Sequence, residues 1–86
     1  MRTRTHELKC WSEFFGPIIR GEKDFEVRKG NDRTYCVGDW LHLREWNENY
    51  SDGYTGQEIY LRVKYVMHGG PFLPDDLWVI GLKRDS

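Results

Sequence analysis

The chain has 86 residues, 38% of them hydrophobic and 15% aromatic, enough for one domain with a thin core built from large rings. Thirteen Lys and Arg stand against 14 Asp and Glu, a net charge of −1, which excludes a protein that coats DNA by bulk charge. No apolar run approaches the length of a bilayer span, and no apolar stretch follows the charged residues 1–7 as a signal peptide requires.

The expected location is therefore the cytoplasm, with no membrane partner. Residues 1–5 read as a flexible tail of a single domain spanning 1–86. Residues 6–10, "HELKC", predict a first strand. Trp11, Phe14, Phe15, Ile18 and Ile19 then fall at i, i+3, i+4, i+7 and i+8, the spacing of an amphipathic helix. Gly21 stands where a left-handed C-terminal residue is wanted. Pro17 cannot donate to residue 13, so a kink or two short turns are expected.

From residue 23 the period becomes two, with Phe25 and Val27 on one face and Asp24, Glu26 and Arg28 on the other. Residues 29–38 form a polar loop. Residues 39–46 alternate again: Leu41 and Leu43 on one side, Trp40, His42, Arg44 and Trp46 on the other. Residues 47–56 hold Asp52-Gly53 and predict a hairpin connection. Residues 57–68 predict the longest strand, with Ile59, Leu61, Val63, Tyr65 and Met67 sharing a face. After a Gly- and Pro-rich loop, residues 77–83 are apolar on both faces and so predict a central or covered strand. The sum is an α+β domain: a small, partly closed β-barrel of about five strands, with one amphipathic helix after the first strand. Closure would also protect the edges of so small a sheet.

Two cysteines without an export signal point to two thiols rather than a disulfide. The three histidines are far apart in sequence, and no spacing suits a metal; no cofactor is expected. Charge is nonetheless uneven. Residues 45–58 carry Glu45, Glu48, Asp52 and Glu58 and no Lys or Arg, whereas Lys23, Arg28, Lys29 and Arg33 fall close together.

The segment "GEKDFEVR", residues 21–28, concentrates the chemistry. Glu26 and Arg28 lie two apart on a strand face, with Cα atoms roughly 6.5–7 Å apart. Lys23 follows the helix end at Gly21, near the mouth between helix and sheet. An ammonium, a guanidinium and a carboxylate there suit a nucleotide: cations take phosphate, and a carboxylate accepts from exocyclic amines. The plainer reading is an exposed strand with an ion pair worth about 0–1 kcal/mol. Arg44 flanked by Trp40 and Trp46 suits base stacking or a second hydrophobic seam against the helix. For Trp40 the seam is expected, and for Trp46 both readings stand. His68 reads as a surface residue ahead of a turn, and Tyr50 and Tyr54 as loop anchors.

The blocks "HELKCW", "GEKDFEVRK", "VGDWLHLREW", "YTGQEIYLRVKYVMHGGP" and "WVIGL" together resemble the small phage and bacterial proteins of the DUF3850 group, in the ASCH superfamily of PUA-like folds. The likeness runs from about His6 to Leu82. It centres on G-x-K-x-x-E-x-R, met by Gly21, Lys23, Glu26 and Arg28, with Val37-Gly38-Asp39 as a second anchor. The resemblance implies an RNA- or nucleotide-binding module whose cleft beside the helix is lined by that motif. Lys23, Glu26, Arg28, Lys29, Arg33, Arg44 and Trp46 are the expected contacts. One alternative it implies is a small hydrolase of modified nucleosides or RNA, with Lys23 as base and Glu26 positioning water. The amidohydrolase branch of the superfamily carries a Thr where this chain has Glu26, and a carboxylate from an insert with no counterpart here. Another alternative is a phage-encoded protein that targets a host factor through the acidic hairpin. The expected state is a monomer or a weak homodimer.

Overall fold

Alternation of apolar and polar residues sets the strands, and the turn chemistry between them sets their order. The computed structural model describes residues 3–84. Its elements are β1 (Thr5–Trp11), α1 (Ser12–Ile19), β2 (Phe25–Lys29), β3 (Trp40–Trp46), β4 (Tyr54–His68) and β5 (Leu77–Lys83). They form one five-stranded sheet of order β1-β3-β4-β5-β2. Strands β3, β4 and β5 are an antiparallel meander, β2 adds to β5 antiparallel, and β1 lies parallel to β3. A parallel pair needs a long crossover, and here it is supplied by α1 and β2. The apolar last strand is internal, flanked by β4 and β2.

The sheet curls around one core. Leu8 and Cys10 of β1, Leu41 and Leu43 of β3, Leu61 and Val63 of β4, and Ile80 and Leu82 of β5 meet Phe15 and Ile18 of the helix. Strands β1 and β2, the two ends of the sheet, come within side-chain reach of each other: Arg28 Nη2 donates to the Lys9 carbonyl at 2.7 Å. The barrel is thus a half-barrel whose seam is bridged by a side chain. No helix among the described residues is long and apolar enough to cross a membrane.

The segment 1–5 lies partly outside the described residues, but within it Thr5 already belongs to β1. The Arg4 amide donates to Asp39 Oδ1 at 3.1 Å, and the Arg4 carbonyl accepts from the Trp40 amide at 2.8 Å. Three expectations change. The helix is shorter than its apolar spacing suggested. Trp11 ends β1 instead, Pro17 is carried inside a single eight-residue helix, and only Phe15 and Ile18 are buried.

In β4 the shared face breaks after Val63. A register shift between Val63 and Tyr65 inserts Lys64 as an extra residue, so Tyr65 and Met67 turn out to solvent while Val66 packs on the core. A one-residue slip exchanges the two faces of a strand. In β2 the charged face is the inward one. Phe25 and Val27 are 43% and 48% exposed, whereas Glu26 is 4% exposed. The reason is position: β2 is an edge strand whose inner face looks onto the seam.

Candidate functional site

The end of α1 fixes the first site residue. Gly21, at φ +79°, takes the left-handed conformation. Its amide donates to the Ile18 carbonyl at 3.1 Å, and the Glu22 amide to the Pro17 carbonyl at 2.9 Å. This is the paired closure of a Schellman turn, which satisfies carbonyls the helix leaves open. The Lys23 amide also donates to Pro17, at 3.1 Å, so the backbone of Lys23 is held at the helix end. Arg84 donates to the Ile18 carbonyl at 2.9 Å and also to that of Ile19, tying the same turn to the end of β5.

Three residues on, Glu26 points inward from β2, and its carboxylate is taken on both oxygens. Lys23 Nζ donates to Oε1 at 2.9 Å, and Arg28 Nε to Oε2 at 3.1 Å, with Nη2 at 2.9 Å from the same oxygen. The Glu26 side chain is only 6% exposed, against 17% for Lys23 and 25% for Arg28. A carboxylate this buried requires cationic partners, and two of them leave the cluster with one positive charge. The Lys23 ammonium also lies 5.2 Å from the Phe14 ring centre and 5.1 Å from that of Phe25, in cation–π range of both.

These groups face a cavity of about 430 Å³ between the two edge strands, within the usual size of a small-ligand site. Trp11, Phe14 and Phe25 give it apolar walls, and Lys23, Glu26 and Arg28 its polar groups. Cys10 lines it too. Burial, and next the charge of Glu26, push its thiol up to about 11, so it is protonated and a poor nucleophile at neutral pH. Among the described residues no three His, Cys, Asp or Glu side chains gather as a metal-binding set.

The same arrangement sits within a sequence pattern that covers most of the chain. Residues 5–82 match the family described as "Domain of unknown function (DUF3850)". The chain belongs to the DUF3850 family. It is also 33% identical over 75 residues to an "Uncharacterized 12.9 kDa protein in GpA 3'region" of Escherichia phage P2. That alignment covers 87% of this chain and 65% of the phage protein, so the chain spans just under two thirds of that relative's length.

The DUF3850 fold brings together three of the seven residues expected at the site, Lys23, Glu26 and Arg28. Trp46 borders it. Parallel pairing sets Trp46 opposite Trp11, their rings 4.5 Å apart and edge-on, with Lys9 Nζ 4.6 Å from the Trp46 ring centre. The others lie elsewhere. Lys29 is exposed at the end of β2, opposite Leu77. Arg33 lies in the loop before β3, its Nε 3.9 Å from Asp32. Arg44 spends its guanidinium on Glu7, at 3.2 Å, and on the Tyr54 ring, 4.1 Å from its centre. The sequence reading missed Lys9, Cys10, Trp11 and Phe14. The helix spacing assigned Trp11 and Phe14 to a core face, and nothing local signals that β1 lies across a seam from β2.

The second anchor is structural. Asp39 is buried and accepts from the Arg4 and Cys36 amides and from His6 Nε2 at 2.9 Å. Burial alone would raise its pKa. The His6 hydrogen bond and the two backbone donors outweigh it and hold the carboxyl below its ordinary value. From there a column of rings, His6, Tyr35, Trp78 and His68, runs through the barrel, with Trp78 opposite Arg28 in the β2–β5 ladder.

Proposed function

We propose that this DUF3850 domain is an RNA- or nucleotide-binding module of the PUA-like, ASCH type, with its ligand held in the seam between β1, α1 and β2. The observation that carries this reading is the buried Glu26 carboxylate clamped by Lys23 and Arg28 at the wall of an aromatic-lined cavity. Lys23 has three N–H donors and Arg28 five. Glu26 and the Lys9 carbonyl occupy only part of that set. The remaining donors suit phosphate or base oxygens, and Trp11, Phe14 and Phe25 suit the face of a base.

Holding a ligand is favoured over turning one over. Both oxygens of Glu26 are already engaged by cations, which leaves little to position a water, and the Cys10 thiol beside them stays protonated. The test is titration of mononucleotides and short RNAs into the wild-type chain and Lys23→Ala, followed by the fluorescence of Trp11 and Trp46. Loss of about tenfold or more in affinity is expected for the variant, with wild-type binding falling at a log–log salt slope of roughly −0.7 per phosphate. Equal, weak binding by the two proteins would overturn the reading.

A further inference from the structure

We infer that the seam cavity is one station on a continuous groove, and that its occupant is a single-stranded nucleic-acid segment of several nucleotides whose backbone leaves along Lys83, Lys64 and Arg62. This rests on the binding reading above and extends it from a pocket to a path.

The path is set by shared walls. On one side of the seam cavity, Trp11 also lines a hollow of about 250 Å³ against Trp46 and Asn47. On the other side, Lys23 also lines a small hollow of about 40 Å³ with Asp24 and Lys83. Lys83 in turn lines a cleft of about 390 Å³ with Gly38, Arg62 and Lys64. Trp11, Lys23 and Lys83 each stand in the walls of two neighbouring hollows, and the proposed run passes over them from the β1–β3 end, past the seam, to the β4–β5 end.

Its chemistry changes along its length. Among the described residues, the first hollow has the Trp11 and Trp46 rings and no cation, and the seam cavity mixes three rings with Lys9, Lys23 and Arg28. The last cleft has no ring in its wall and three cations. Arg62 lies opposite Lys83 in register, and the bulge after Val63 adds Lys64 beside them. The Arg62 guanidinium is set in place, 3.9 Å from the Trp40 ring centre and donating to the Gly38 carbonyl at 2.9 Å. Among the described residues lining these two hollows, Asp24 is the acid, 3.6 Å from Lys64. Glu13 and Glu48 stand instead at the aromatic end. Rings for bases at one end and cations for phosphates at the other is how small domains hold single strands. An acidic peptide would use the cations but leave the rings idle, so nucleic acid fits the whole groove better.

The test compares chain lengths. Wild type and the double variant Lys64→Ala/Lys83→Ala, two surface changes, are titrated with mononucleotides and with random-sequence RNAs of two, four and eight nucleotides. Circular dichroism checks the fold. Wild-type affinity should rise about tenfold or more between two and eight nucleotides. The double variant should lose that gain, with its salt slope shallower by about 1.4 for two phosphates, while mononucleotide affinity is unchanged. If length brings no gain, or if the variant weakens every length equally, the path is wrong and the pocket stands alone. If polyglutamate of equal charge competes as well as RNA, the basic cleft is a general polyanion surface and the inference fails. If wild type binds nothing of any length, the binding reading itself falls, and the path with it.

Discussion

The Arg28 guanidinium donates to the backbone carbonyl of Lys9, and that contact bridges β2 to β1 where no strand ladder does. Edge strands leave a row of unpaired backbone groups, and a small barrel must cover them or close. Here a side chain bridges the gap and leaves room beside it for a cavity. The same guanidinium holds Glu26. The motif that resembles a recognition signature is therefore also the latch of the fold.

Arg28→Lys should expose this double duty. Lysine keeps the charge but cannot fork between a carboxylate and a carbonyl. Loss of a hydrogen bond to a charged group predicts about 2 kcal/mol lower stability by urea unfolding. A change within about 0.5 kcal/mol, the range of an ordinary surface substitution, would show that the bridge across the seam holds nothing.

Asp39 predicts an acid limb. Its folded-state pKa lies below the ordinary 3.8. The unfolded chain therefore takes up the proton first as pH falls. The stability that Asp39 contributes is complete above the unfolded value, and it drains away as pH drops from about 3.8 through the lower folded value. Asp39→Asn removes that slope. Urea midpoints measured from pH 6 down to pH 2 should converge for wild type and variant at the acid end. Parallel curves would mean that the His6 and backbone contacts do not favour the charged form.

How much of this was legible in the sequence depends on which residues spoke locally. Leu41, Leu43, Ile80 and Leu82 announced their strands through simple alternation, and all four are buried. Lys23, Glu26 and Arg28 announced themselves through spacing, because a helix end and an alternating strand suffice to place them together. Tyr65 and Met67 misled, because a bulge at Lys64 is written nowhere in the alternation it interrupts. Arg44 misled because its partner Glu7 comes from a parallel strand 37 residues away. Trp11 and Lys9 went unread for the same reason. Their role follows from which two strands end up at the sheet's edges, a property of the whole topology.

Gly53 and Gly56 make a matched pair for the aromatic end of the groove. Both have positive φ, +87° and +94°. A Cβ at Gly56 would meet nothing within 4 Å, whereas one at Gly53 would overlap the indole Nε1 of Trp46. Gly56→Ala should cost about 1–2 kcal/mol from backbone conformation alone. Gly53→Ala adds the displacement of a packed ring, a further 1–3 kcal/mol or so. It should also shift tryptophan emission as Trp46 leaves Trp11. Equal costs, or an unchanged spectrum, would mean that Trp46 is not held by this turn.

The two thiols should behave oppositely. Cys36 is exposed and Cys10 buried, so a disulfide-exchange reagent at pH 8 should modify one thiol per chain promptly and the other only on unfolding. The Cys10 thiol rises from an ordinary 9.0 to about 11, through burial first and the charge of Glu26 second. Between those values the unfolded chain loses a proton that the folded chain retains. Stability from this group is thus full below pH 9 and is lost as pH climbs toward 11, at most about 3 kcal/mol for a shift of this size. Tyr35, whose hydroxyl burial also pushes upward, adds to the same limb. The informative quantity is therefore the difference between wild type and Cys10→Ala. That difference should shrink with rising pH across the window, while Cys36→Ser tracks wild type throughout. A constant difference from pH 8 to pH 11 would place Cys10 in contact with water, and the wall of the seam cavity beside Glu26 would then be wetter than its packing implies.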